Sequence, residues 1–407
     1  MPILLAEKIY ISFYIQALVI IAIYMMFTGR YAGELHNFSL DITKEEVFIL
    51  MIYSILSFIF AYYLYRMTIK KRLIIKKYVF KLNIVFFTNA YFILLITSFI
   101  FMINTGVGIV LSHATSQYSI IFGFLNVNTI FPFFYFLVRK SKEISRKYFF
   151  IIVTTFLIYR LLQGWSGIIL SIFIFELYFY YKNKYIGKLK QIAIIVFLPL
   201  LFIFIGASLY QKVYPIKNEI RGLGYQNINY ADGLVKLVNR LTYFPISVAA
   251  YSKMDEIKEF YQKEDIFLKE SKGIFRPIIP RSIMENKEFR SLNNNVLQPF
   301  FPDITPYTSS DIGILMYVAS LFNANWIDGL VVIILLITML FIAKLVYDNL
   351  SQVRGQLDFL YFLLIVEIFT TTAPEIVFGY HFLGIFYFLP VLLIFGILKI
   401  QRKKNDN

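Results

Sequence analysis

A chain of 407 residues that is 58% hydrophobic, with a mean hydropathy of +0.66, carries more apolar side chain than a soluble domain needs, and much of it comes in blocks near bilayer-spanning length. Much of the formal charge of +15 sits in short segments between those blocks, so it reads as an orientation signal before it reads as a nucleic-acid footprint. The absence of cysteine excludes disulfides, thiolate catalysis and cysteine-bound metals, and the three histidines, His36, His113 and His381, are too scattered to argue for a metal site.

Backbone polar groups in hydrocarbon need internal partners, so apolar runs of about 15–22 residues without strict alternation are predicted helices. The expected fold is an all-α polytopic membrane protein with about ten spans, in a range of about 9–12. The first span covers Ile9–Phe27 and is read as an anchor, since no small-residue cleavage site closes it. An acidic loop with Glu34, Asp41, Glu45 and Glu46 leads to a second span, Val47–Tyr65, and then to a basic loop from Arg66 to Lys77. The positive-inside rule makes that loop, and the N-terminus, cytoplasmic. Span three is Leu82–Ile103; span four, Ile120–Val138, ends at Arg139, Lys140, Lys142, Arg146 and Lys147. A hairpin of Tyr148–Leu162 and Trp165–Tyr181 returns the chain to Lys182–Lys190, and span seven, Gln191–Leu209, leads outward. The basic loops alternate consistently throughout.

Residues 1–209 thus form an N-terminal helical block, 210–325 a large external loop, and 326–407 a C-terminal block with a basic tail. Within the loop, Leu234, Leu237, Val238 and Leu241 predict an amphipathic helix on the outer membrane surface. Residues 255–270 read as a solvated helix packed on one side, and the Pro- and Asn-rich stretch 273–306 as largely irregular. A short apolar helix over 309–322, started by Ser310 or Asp311, reads as half-inserted. The last spans are Trp326–Val346, Leu357–Thr372 and Leu383–Ile400, with Arg402, Lys403 and Lys404 inside. No internal repeat is evident, which weakens a transporter of the inverted-repeat kind.

There is no P-loop, no G-x-S-x-G and no H-E-x-x-H. The remaining candidates are arginines on the outer side: Arg160, Arg221, Arg240, Arg276, Arg281 and Arg290. A guanidinium is always charged and donates in a planar fork, which suits phosphate, although each of these is also readable as a surface or snorkelling residue. Asp311 serves either as a helix cap or as a general base, and His381 in the last external loop either as a base or as a structural group. Glu176 and Glu367, inside spans, are as readily pairing or packing groups as functional ones.

With Tyr159–Gly167, the Arg276–Arg281 bracket around two prolines, and Ser309–Gly313 followed by Tyr317, the chain resembles the oligosaccharide repeat-unit polymerases of the Wzy type, which build O-antigen or capsule. The resemblance implies glycosyl transfer on the outer leaflet of the bacterial plasma membrane. Undecaprenyl pyrophosphate would be the leaving group and a lipid-linked oligosaccharide the substrate, with no metal or other cofactor and no nucleic acid. It implies that Arg160, Arg276 and Arg281 grip pyrophosphate while Asp311 or His381 activates the acceptor hydroxyl. A flippase and a chain-length regulator of the same route are the protein partners it implies. An O-antigen ligase-like enzyme, a polyprenyl-phosphate-sugar glycosyltransferase and a polysaccharide flippase share parts of this pattern.

Overall fold

The structure is a computed structural model that describes residues 5–74, 78–109, 121–122, 125–165, 167–182, 186–220, 227–239, 241–263, 268–275, 290–303, 310–350, 357–370 and 392–402, with residues 114, 116 and 118. Five helices are long and apolar enough to cross a membrane: α1 (Leu5–Thr28), α2 (Lys44–Lys70), α3 (Ile84–Thr105), α7 (Lys188–Ile220) and α14 (Trp326–Asn349). Shorter helices fill the spaces around them: α4 (Val127–Val138), α5 (Arg146–Leu162), α6 (Ile168–Tyr181), α13 (Ile314–Ala324) and α15 (Asp358–Thr370). The chain is therefore a multi-pass helical protein of membrane type. On α14, Leu330, Ile334, Ile337 and Phe341 repeat at four, three and four residues and stay exposed, a stripe that suits hydrocarbon and not water.

Helix starts follow local chemistry. Thr43 and Glu46 form a reciprocal capping box at α2, and Asn83, Ser145 and Asn325 cap α3, α5 and α14. α7 overruns its predicted end. Its 33 residues extend about 50 Å, well beyond a hydrocarbon core of about 30 Å, so residues 210–220 continue the helix instead of opening the loop. Against it packs α8 (Tyr230–Asn239), with a Cβ at Gly233 placed only 3.1 Å from the Ala207 carbonyl. The predicted amphipathic helix exists, and its apolar side is seated on α7.

One departure from an all-helical chain stands out. Residues 78–82 (β1) and 398–402 (β2) pair antiparallel, with Phe80 opposite Ile400, so the predicted last span ends before 398. The bulk of that span lies outside the described residues.

The two ends of the bundle are tied differently. At one, Arg72 makes a bidentate pair with Asp358 at 2.6 and 2.7 Å and reaches Asp348 at 2.8 Å. Asp348 also accepts from the Leu73 amide at 2.8 Å and pairs with Lys344. This joins the segment after α2 to the end of α14 and the start of α15, at the end that the β1–β2 pair also occupies: Asn83 donates to the Ile397 carbonyl at 2.8 Å.

At the other end the segment 29–43 meets the region after α8. Tyr31 and Ser252 hydroxyls lie 2.7 Å apart, Lys253 pairs with Asp41 at 3.2 Å, and Phe38 packs edge-on to Phe300 and Phe301. That region is a folded cap of α9 (Phe244–Ser252), α10 (Met254–Lys263), α11 (Lys269–Phe275) and α12 (Leu292–Asn295). Its anchor is Asp328, fully buried in the first turn of α14, which accepts from Tyr261 Oη at 2.7 Å, from the Glu270 and Ser271 amides at 2.7 and 3.0 Å, and from Ser271 Oγ at 2.5 Å. Glu270 in turn accepts from the Leu292 amide and from Tyr317 Oη, at 2.5 and 2.9 Å. Two buried carboxylates thus hold five helices together.

Candidate functional site

Asp311 stands on a backbone fixed from three sides. Gly313 has φ +84°, and a Cβ there would lie 2.1 Å from the Tyr243 ring, so only glycine fits both the conformation and the space. The Ile312 carbonyl accepts the Ser247 hydroxyl, and Ser310 Oγ donates to Glu34 Oε2 at 2.8 Å. The N-cap of α13 is Gly313, with no side-chain cap. Neither Ser310 nor Asp311 starts that helix, because Ile312 and the positive-φ Gly313 stand between Asp311 and its first turn. The capping reading of Asp311 is thereby removed.

Asp311 is exposed as a residue, although protein surrounds its carboxyl on most sides. Loss of surrounding water pushes its pKa up to about 7, and the neighbouring carboxylates Glu367 and Glu34 add to the rise. Glu34 comes from the short 3-10 turn Gly33–Leu35, and Glu367 from α15. The Tyr14 hydroxyl lies within electrostatic reach of both Asp311 and Glu367, and 3.1 Å from the Tyr10 hydroxyl on the next turn of α1.

α1, α4, α6, α14 and α15 line a cavity of 280 Å³, and two of its lining residues, Tyr14 and Glu367, are within electrostatic reach of Asp311. The cavity's polar lining is Glu367, three tyrosines (Tyr10, Tyr14 and Tyr347) and the hydroxyls of Thr129, Ser171 and Thr370, set among aromatic and aliphatic side chains. Hydroxyls both donate and accept, and a carboxylate accepts only. Such a lining can hold a hydroxyl-rich ligand against ring faces, and Asp311, within electrostatic reach of two of its residues, can exchange a proton near neutral pH.

Comparison with protein-family models, with curated proteins and with solved structures returned no match. The site therefore rests on its geometry.

Of the arginines singled out from the sequence, Arg160 is at the end of α5, half-buried, with Nη1 donating to Gln163 Oε1 at 2.8 Å and its guanidinium 5.3 Å from the Trp165 ring centroid. Its neighbours also include Tyr91 and Tyr159, a different set from those of Asp311. Arg290 enters the buried turn that begins at Ser291. Arg221, Arg240, Arg276, Arg281 and His381 lie outside the described residues, as does His113. Glu176 is a pairing group: Arg139 binds it through Nε and Nη2 at 2.7 and 2.9 Å, and Tyr135 also donates to it. Among the described residues no group of three or more His, Asp or Glu is placed to hold a metal ion.

Tyr10 and Tyr14 are the participants that sequence reasoning passed over. A signal existed for them, since two hydroxyls at i and i+4 share one face of a span and need polar company there. Glu34 is one of four acidic residues (with Asp41, Glu45 and Glu46) that the sequence makes possible catalytic acids of a first-loop glycosyltransferase; its place beside Ser310 depends on how that loop folds onto the cap.

Proposed function

We propose that this protein is a membrane glycosyltransferase that polymerises oligosaccharide repeat units carried on a polyprenyl pyrophosphate, at the membrane face where the cap sits. The observation that carries the reading is the Asp311 carboxyl, its pKa raised to about 7, within electrostatic reach of Tyr14 and Glu367 in the lining of a hydroxyl- and ring-lined cavity of an apolar bundle. In the proposed step an acceptor sugar hydroxyl attacks the anomeric carbon of the lipid-linked chain. Its proton passes to ionised Asp311, the new glycosidic C–O bond forms, and the C–O bond to pyrophosphate breaks, releasing polyprenyl pyrophosphate. A carboxyl with a pKa near the working pH is best suited to that transfer. The departing charge requires cations, for which Arg160, Arg276 and Arg281 are the proposed donors, with Arg221, Arg240 and Arg290 as further contacts to the anionic glycan carrier. The organism would be bacterial and the product an O-antigen or a capsule, as the sequence resemblance implies.

The test is chain lengthening by the purified protein in vesicles supplied with lipid-linked repeat units. Asp311→Asn should lower the rate by about 10²-fold or more with a thermal midpoint no lower than that of the wild type. Wild-type chain lengths from Asp311→Asn would remove the proposal's base. If Arg276→Ala and Arg281→Ala are both silent, the pyrophosphate clamp is wrong.

A second reading is favoured by Glu367, an acidic residue deep in the bundle beside a cavity, a placement typical of coupled transporters. A flippase of lipid-linked glycans would leave single units facing the cytoplasm when its gene is deleted. A polymerase deletion would leave single-unit glycans on the outside and no long chains.

A further inference from the structure

A second cavity lies at the opposite end from Asp311's cap, between the end of α4 and the start of α5. It measures 440 Å³, and four of its lining side chains are cations: Arg139, Lys140, Lys142 and Arg146. The turn that carries them is fixed by its own hydrogen bonds. The Ser141 amide donates to the Val138 carbonyl at 3.0 Å, the Glu143 amide to Ser141 Oγ at 3.1 Å, and the Tyr148 amide to Ser145 Oγ at 3.2 Å.

Two of the cations are held in place before any ligand arrives. Arg139 is clamped by Glu176 through Nε and Nη2, which leaves Nη1 outside that pair, and its guanidinium stands 5.8 Å from the Phe149 ring centroid. Lys140 Nζ stands 5.8 Å from the Phe179 ring centroid. Among the described ion pairs none involves Lys140, Lys142 or Arg146. The cup therefore gathers four cations, of which only Arg139 takes part in a described ion pair, while Glu176 also lies within electrostatic reach of Lys140.

What distinguishes the cup from an ordinary basic loop is its continuation. From its rim the outward face of α5 runs through Phe150, Ile151 and Ile158, all exposed, in the direction of the bundle's apolar middle. A soluble phosphate would use the cations and ignore this stripe; a phospholipid would use both. We propose that the cup holds the phosphate of an anionic phospholipid of the surrounding bilayer, with the acyl chains lying along α5. Juxtamembrane cations are attracted to anionic leaflets in general, and a cup between helices turns that attraction into a defined seat.

The site is independent of the glycosyl-transfer reading and can be tested without it. Full-length protein in detergent is titrated with phosphatidylglycerol and followed by native mass spectrometry. The variant Lys140→Ala/Lys142→Ala/Arg146→Ala should lose one tightly retained lipid, with affinity for it reduced about tenfold or more. A control, Lys70→Ala/Lys71→Ala/Lys190→Ala, removes the same formal charge from exposed positions at the bundle ends and should keep that lipid. Thermal midpoints without lipid confirm that both triple variants fold. Equal losses in the two variants would reduce the effect to a general field and overturn the seat. Displacement of the lipid by millimolar inorganic phosphate, or equal retention of phosphatidylcholine, would also overturn it.

Discussion

Asp311 gains its character from groups far away in the sequence. Its ordinary carboxyl value is 3.8 and its value in the fold is about 7, raised by desolvation and then by Glu367 and Glu34. The folded chain thus holds this proton more tightly than the unfolded chain does. Between those two values it binds more protons, so the contribution to stability is full below about 4 and is lost as pH rises through about 7. Asp311→Asn cannot ionise, and its thermal midpoint should match the wild type near pH 4 and exceed it at pH 8. Under the proposed glycosyl transfer, catalysis should run the opposite way: the rate of chain lengthening should rise with a midpoint near 7, because in the proposed step ionised Asp311 takes the proton. Glu34→Gln removes one of the two raising charges and should move that midpoint downward. A pH–rate profile unchanged in Glu34→Gln would show that this carboxylate does not act on Asp311. The sequence singled out Asp311 but left it between cap and base; it was the positive-φ Gly313, taking the cap position, that removed the first of these. Desolvation and the approach of Glu34 and Glu367 are tertiary facts with no local signature.

At the scale of elements, the long spans were legible because twenty-odd apolar residues closed by polar caps have few alternatives in a bilayer. The predicted Trp326–Val346 became Trp326–Asn349, a difference of one turn. The extension of α7 to Ile220 was not legible, since residues 210–220 look polar enough for a loop and are kept helical by packing against α8. Nor was the β1–β2 pair, because its partners stand at opposite ends of the chain and each short run reads as the fringe of a span. The cap offers the clearest test of an element-level claim. Asp328 gathers four hydrogen bonds from α10 and α11 in a fully buried position. Asp328→Ala leaves those donors without an acceptor, and a loss of about 3 kcal/mol or more follows from the cost of buried unmet donors. Limited proteolysis should then cut the region 254–303 readily while the long apolar helices stay intact. Gly313→Ala should act differently, displacing Asp311 through its clash with Tyr243 and abolishing chain lengthening without opening the cap.

For the whole molecule the decisive property is which end faces which side. The structure groups Arg72, Asp348, Asp358 and the β1–β2 pair at one end, and Glu34, Asp41, Lys253 and Asp311 at the other. The positive-inside rule predicts that the first end is cytoplasmic, with Lys70, Lys71 and the 139–147 cations beside it. A polymerase that consumes flipped, lipid-linked units needs the second end outside, so topology and function stand or fall together. The natural chain contains no cysteine, and single cysteines can therefore be introduced without a background. Asn37→Cys and Glu259→Cys place thiols at exposed positions on the cap end, while Lys71→Cys and Lys147→Cys place them at exposed positions on the basic end. A membrane-impermeant maleimide added to intact cells should label the first two, and should reach Lys71→Cys and Lys147→Cys only after permeabilisation. Labelling of Lys71→Cys and protection of Glu259→Cys would put Asp311 in the cytoplasm, where outer-leaflet polymerisation is impossible. Labelling of Asn37→Cys without Glu259→Cys would separate the first loop from the cap and contradict the Tyr31–Ser252 and Asp41–Lys253 contacts that join them.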